Sequence, residues 1–220
     1  MSFSAKINSV KIYTLGVKKF AGAIHLPIIQ TIFVPQNIDY DKYKLLLFTS
    51  QIAISNALKD LEKWRDKSVI CIGEASETLL QNAKVTHIFT PKISNASSLI
   101  NEFCSLIATQ KTLYIRGEKI ATDIKKALAK KDILIDEIIT YQTHCNKISN
   151  PQLSEKPESG SYIILSSPFI VQCFMQKYNL SDYQLIAIGK KTASFIPKTI
   201  SYSLSETTNI EKIIQKLQKN

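Results

Sequence analysis

Residues 45–50, LLLFTS, and residues 162–167, YIILSS, are the two stretches on which the fold turns. Each is dominated by apolar residues until it meets a pair of hydroxyls, as expected of a strand covered by helices on both faces. The match continues downstream. The first is followed by VICIGEAS (residues 69–76) and the second by LIAIGKKT (residues 185–192). Ser50 precedes Gly73 by 23 positions, and Ser167 precedes Gly189 by 22. Both halves read strand, hydroxyl turn, helix, strand, glycine turn, helix, which is an internal repeat. Two similar α/β domains with parallel sheets are expected.

Further strands are expected at Val10–Leu15, Ile24–Phe33, His87–Thr90, Thr112–Ile115, Ile133–Thr143 and Thr199–Ser203. Helical faces recur between them. Ile54, Ala57, Leu58 and Leu61 share one stripe, as do Leu99, Ile100, Phe103 and Ile107, and again Ile120, Ile124, Ala127 and Leu128. The last helix reads as capped by Thr208 with Glu211. Asn146–Gly160 is polar and holds prolines, the composition of a linker. The second repeat alone has too few strands for a sheet, and the N-terminal strands are the natural supply. One domain is then discontinuous, residues 1–34 with 147–220, and the other, residues 35–146, is inserted in it.

The 220 residues are 45% hydrophobic and 21% charged, enough for a sizeable core and unlike a disordered chain. Net charge is +10, nearly all from lysine, since Arg65 and Arg116 are the only arginines. That excess suits a polyanionic partner without choosing one. Nucleic acid is disfavoured, because charge alone points there and no recognition motif accompanies it. No run approaches the length of a membrane span, and Met1–Val10 has no signal-peptide core, so the expected compartment is the cytoplasm. Cys71, Cys104, Cys145 and Cys173 are widely spaced, and so are the three histidines. Reduced thiols and no metal site are expected.

Chemistry is expected at the carboxyl ends of the strands, where loops converge and helix N-termini present free N–H groups. Thr49 and Ser50, Ser166 and Ser167, Gly73 with Ser76, and Gly189 with Lys190 and Thr192 fall there. Such residues also serve simply as helix caps and permissive turns. Four such turns in two repeats favour a binding role. No phosphate cradle, zinc-protease motif or nucleophile elbow is present, which disfavours nucleotide-driven and metal-dependent chemistry.

The order FTS, VICIGEAS, TLYIRGE (residues 112–118), EIITYQT (residues 137–143), LSSPFIVQCF (residues 165–174) and IAIGKKTA (residues 186–193) resembles uroporphyrinogen-III synthase over residues 40–200. The resemblance implies two α/β domains facing across a cleft, joined by a pair of strands and needing no cofactor or metal. It implies a lyase that closes hydroxymethylbilane, a linear tetrapyrrole with eight carboxylates, into uroporphyrinogen III with the last ring inverted. Tyr141 matches the family's favoured acid. Thr49, Ser50, Gly73, Ser76, Arg116, Gly117, Ser166, Ser167, Gly189, Lys190 and Thr192 match its substrate-binding turns. A monomer is expected.

The alternative is a two-lobed α/β protein that grips an anionic metabolite without converting it. Only Gly16–Ala23 separates the first two strands where the family has a helix, so either that helix is lost or the strands form an antiparallel hairpin.

Overall fold

The computed structural model describes residues 10–146 and 156–219. Residues 147–155 of the stretch read as a linker, and most of Met1–Val10, lie outside them. The chain divides into two compact units: Met1–Gln30 with His144–Asn220, and Thr31–Thr143.

The first unit carries a five-stranded sheet built from β1 (Ile12–Thr14), β2 (Ile24–His25), β9 (Tyr162–Leu165), β10 (Gln184–Ala187) and β11 (Tyr202–Leu204). The strands lie in the order β11-β10-β9-β1-β2, all parallel. On one face Leu165, Ile163 and Leu185 pack against Val171 and Phe174 of α5 (Pro168–Met175) and Ala193 of α6 (Lys190–Ala193). The opposite face is narrower. Ile12, Ile164 and Ile186 meet Ile213 and Ile214 of α7 (Ile210–Leu217), with Phe20 from the first connection beside them.

That first connection, residues 15–23, contains no helix, yet β1 and β2 run parallel, Tyr13 opposite Ile24. The hairpin alternative is therefore excluded, and the helix is what was lost. So brief a crossover suffices because β2 is only two residues long. Gln218 at the end of α7 donates to the Gly22 carbonyl at 3.2 Å and ties the loop down.

The second unit carries β4 (Leu45–Phe48), β5 (Ser68–Cys71), β6 (Ile88–Phe89), β7 (Thr112–Gly117) and most of β8 (Asp136–Cys145). Their order is β8-β7-β4-β5-β6, all parallel. This is the order of the first sheet with the chain started at a different strand, so β4 and β9 correspond, as LLLFTS and YIILSS do. One face packs Trp64, Leu80 and Ile54 from α1 (Gln51–Ala57), the turns after it and α2 (Glu74–Asn82). The other packs Leu99, Ile107 and Leu128 from α3 (Ala96–Ala108) and α4 (Ile124–Ala129). Trp64 also donates its indole N–H to the Ala57 carbonyl at 2.9 Å.

Several expectations need correction. Ile24–Phe33 is not one strand. It breaks around Pro27, whose missing N–H cannot serve a ladder, and continues as β3 (Ile29–Phe33) in the other sheet. There β3 lies beside β8 and antiparallel to it, with Val34 N–H on the Thr140 carbonyl (2.9 Å) and Asn146 N–H on the Ile28 carbonyl (2.7 Å). The last helix is capped by Asn209, which accepts from Lys212 N–H, one residue after the expected Thr208. The helix expected from Ile120 begins instead at Ile124, capped by Asp123. Finally, the four cysteines are not all thiols. Cys145, at the end of β8, and Cys173, in α5, form a disulfide with their Cα atoms 5.3 Å apart. Packing of the end of β8 onto α5 brings them within bridging range, which linear spacing does not reveal.

Candidate active site

In the second sheet the strand order reverses direction between β4 and β7, the place where open α/β sheets take ligands. Register brings β4 and β5 to a level end, with β7 running two residues further to Gly117. Phe48 lies opposite both Cys71 and Ile115, so the turns after β4, β5 and β7 emerge side by side.

Ser50 follows β4 in an extended conformation and caps α1, its Oγ accepting from Ile52 N–H at 3.1 Å. Tyr141 is on β8, opposite Gly117 across a register shift in the β7–β8 ladder. Its phenol donates to Ser50 Oγ at 2.8 Å, and it is 9% exposed. Gly117 makes this placement possible. A Cβ there would lie 2.4 Å from Tyr141 Cζ and 2.7 Å from Oη, so no side chain fits beneath the ring. The Tyr141 carbonyl accepts from Glu118 N–H at 2.9 Å, which fixes the backbone too.

A second phenol–hydroxyl pair lies beside the first. Thr49 Oγ1 and Tyr114 Oη are 2.9 Å apart, with Tyr114 1% exposed. Burial pushes the Tyr114 phenol pKa up, so it stays protonated. Thr49, Ser50, Gly117 and Tyr141 line one cavity of about 430 Å³, together with Ser94 and Thr122. Ser94 and the α3 cap Asn95 adjoin the β5 turn, where Gly73 has φ of +87°, a backbone that favours glycine.

Other expected residues are placed differently. Arg116 Nε donates to Glu137 at 2.9 Å, and its Nη1 donates to the carbonyls of Gly117 (2.8 Å) and Glu118 (3.1 Å). The guanidinium braces the turn, and its hydrogen bond holds the Glu137 pKa below the ordinary carboxylate value. Ser76 is 4% exposed inside α2. In the first unit, Ser167 caps α5 by accepting from Ile170 N–H at 3.3 Å, with Ser166 half-buried before it. Gly189 precedes the four-residue α6 in extended backbone, Lys190 is exposed, and Thr192 is 4% exposed. Because β9 and β10 pair with Leu165 opposite Ala187, these two turns are neighbours.

Sequence reading missed Tyr114, Ser94 and Thr122. Only Tyr114 carries a signal, as a ring with a polar tip inside the otherwise aliphatic start of TLYIRG, where a buried hydroxyl needs a partner.

The family model described as uroporphyrinogen-III synthase HemD matches residues 12–215. No curated protein matches the chain. Among solved structures, uroporphyrinogen-III synthetase from Helicobacter pylori is similar over 96% of this chain and 99% of its own, with a TM-score of 0.81 at 18% identity. A mutant uroporphyrinogen III synthase from the extremely thermophilic bacterium Thermus thermophilus is similar over 96% and 98%, with a TM-score of 0.57 at 13% identity. At these identities the structures speak for a shared fold, and the family match speaks for lineage. Since that match runs from β1 into α7, the chain belongs to the uroporphyrinogen-III synthase family, the cyclising lyases of haem biosynthesis.

Proposed function

We propose that Tyr141 supplies the proton with which the terminal hydroxyl of hydroxymethylbilane departs, in the cavity at the β4–β7 edge. The observation that carries this reading is the Tyr141 phenol held at 2.8 Å from Ser50 inside that cavity. The substrate is intrinsically reactive: once the hydroxyl leaves, the chain closes unaided without inverting its last ring. The enzyme must therefore assist departure, a general-acid task. It must also fold the chain so that the last ring attacks through its substituted carbon, which is orientation work. Thr49 and Gly73 are proposed to offer donors to substrate carboxylates, as are Ser166, Ser167, Gly189 and Lys190 in the first unit. Ser50 is assigned to the substrate beside Tyr141, and Ser76 and Thr192, each 4% exposed, to shaping their turns. Arg116 and Gly117 are assigned to the same turns, Arg116 shaping its turn through the two carbonyls that it holds.

The test is to mix the protein with freshly made hydroxymethylbilane and separate the product isomers. Isomer III is expected, and the uninverted isomer alone would refute catalysis. A monomer in the cytoplasm is the proposed working state. Concentration-independent mass in ultracentrifugation checks the first part and cell fractionation the second.

A further inference from the structure

The Tyr141 proton is already engaged. Its phenol donates to Ser50 Oγ at 2.8 Å, and the same oxygen accepts from Ile52 N–H at 3.1 Å. A serine hydroxyl has two acceptor sites and one proton to give. With both acceptor sites used, the proton free to leave this chain of bonds is that of Ser50. Tyr141 is clamped against Gly117 and nearly buried, whereas Ser50 is half-buried on the cavity wall. We infer that Ser50 is the catalytic residue that meets the leaving hydroxyl, with Tyr141 behind it as the proton source. This rests on the reading of Tyr141 given above.

The step balances without any outside reagent. The Ser50 proton passes to the terminal hydroxyl oxygen of the bilane while the Tyr141 proton passes to Ser50 Oγ. The carbon–oxygen bond breaks with its electron pair on oxygen, and water departs. The pyrrole nitrogen lone pair feeds the methylene carbon left behind. Tyr141 is now a phenolate, and the re-formed Ser50 hydroxyl turns to donate to it. The substituted carbon of the last ring has no hydrogen to lose: its attack gives a spiro intermediate, and its bond to the neighbouring methylene then breaks with the electron pair returning to the ring. That methylene bonds to the ring's unsubstituted α-carbon, and the proton this carbon sheds is carried by solvent back to Tyr141. One water is lost and the protein is restored.

The experiment compares Tyr141→Phe, Ser50→Gly and the double variant in kcat, KM and isomer III yield, with urea unfolding measured beside them. Glycine caps a helix nearly as well as serine, so Ser50→Gly removes the hydroxyl while sparing α1. Each single change is expected to lower kcat by about 10²-fold with KM little altered. The double variant is expected to fall no further, because both changes cut one relay. Ser50→Gly within about threefold of the wild type beside a severe Tyr141→Phe would overturn the relay and leave Tyr141 as a direct donor. A double variant lower by about 10⁴-fold would also overturn it, by showing two independent contributions. A mild Tyr141→Phe would sink the reading of Tyr141 itself, and the relay with it.

Discussion

Gly117→Ala puts a single methyl group where the Tyr141 ring lies. The added Cβ would be 2.4 Å from Cζ, while ordinary contact begins at 3.4 Å, so the ring must recede by about 1 Å, a displacement that by itself costs on the order of 10²-fold in rate. The same retreat stretches the 2.8 Å bond to Ser50 towards about 3.8 Å, outside hydrogen-bonding range. Gly117 does not occupy the left-handed region, so alanine suits its backbone and the clash is the whole perturbation. Overpacking of this kind costs about 1–3 kcal/mol of stability. The assay is the initial rate of isomer III formation from fresh hydroxymethylbilane, with a urea unfolding curve for the same preparation. Activity near that of Tyr141→Phe in a folded protein is expected. Wild-type turnover with an unchanged unfolding midpoint would refute the argument that Gly117 holds the phenol in place.

Two further outcomes concern stability. Cys145 and Cys173 are separated by 28 positions, and loop closure of that size is worth about 3.6 kcal/mol at 25 °C in the chain-entropy account. Cys173→Ser, or added reductant, should lower the urea midpoint accordingly, and equal midpoints with and without reductant would contradict this. Glu137→Gln should cost about 1.5 kcal/mol at neutral pH, the lower end for a bond to a charged partner because the carboxylate is partly exposed. Since folding lowers the Glu137 pKa from 4.5, its stabilisation is complete above that value and fades as pH falls through the folded-state pKa. The two proteins should therefore converge in acid unfolding, and a gap that persists below the folded-state pKa would rule the ion pair out as its source.

The repeated strand-and-turn pattern was legible because a doubly covered parallel strand must be apolar throughout, and because its terminal hydroxyl has a backbone duty. Ser50 and Ser167 perform that duty as caps. Ser76 shows where the reasoning thins. Three residues after a glycine it reads as a free donor, but Gly73 is itself the cap of α2, which turns Ser76 into the helix and buries it. Arg116 read as part of a substrate-binding turn, yet Glu137, 21 positions away, takes its Nε. The pairing of Thr49 with Tyr114 and the meeting of Cys145 with Cys173 both join distant segments, and only the sheet order and helix docking decide them.

The cross-link between Cys145 and Cys173 also governs what a cut in the chain would mean. It encloses residues 146–172, a span that contains β9. A protease that cleaves one peptide bond in that span separates nothing, since both pieces remain covalently attached. The nicked protein would migrate as an intact chain on a non-reducing gel. Reduction would then release a carboxyl-terminal piece bearing β10, β11 and α7, three elements that cover or extend the sheet begun by β1. The bond thus makes the first unit, assembled from two distant stretches of sequence, tolerant of a break in the stretch that returns to it.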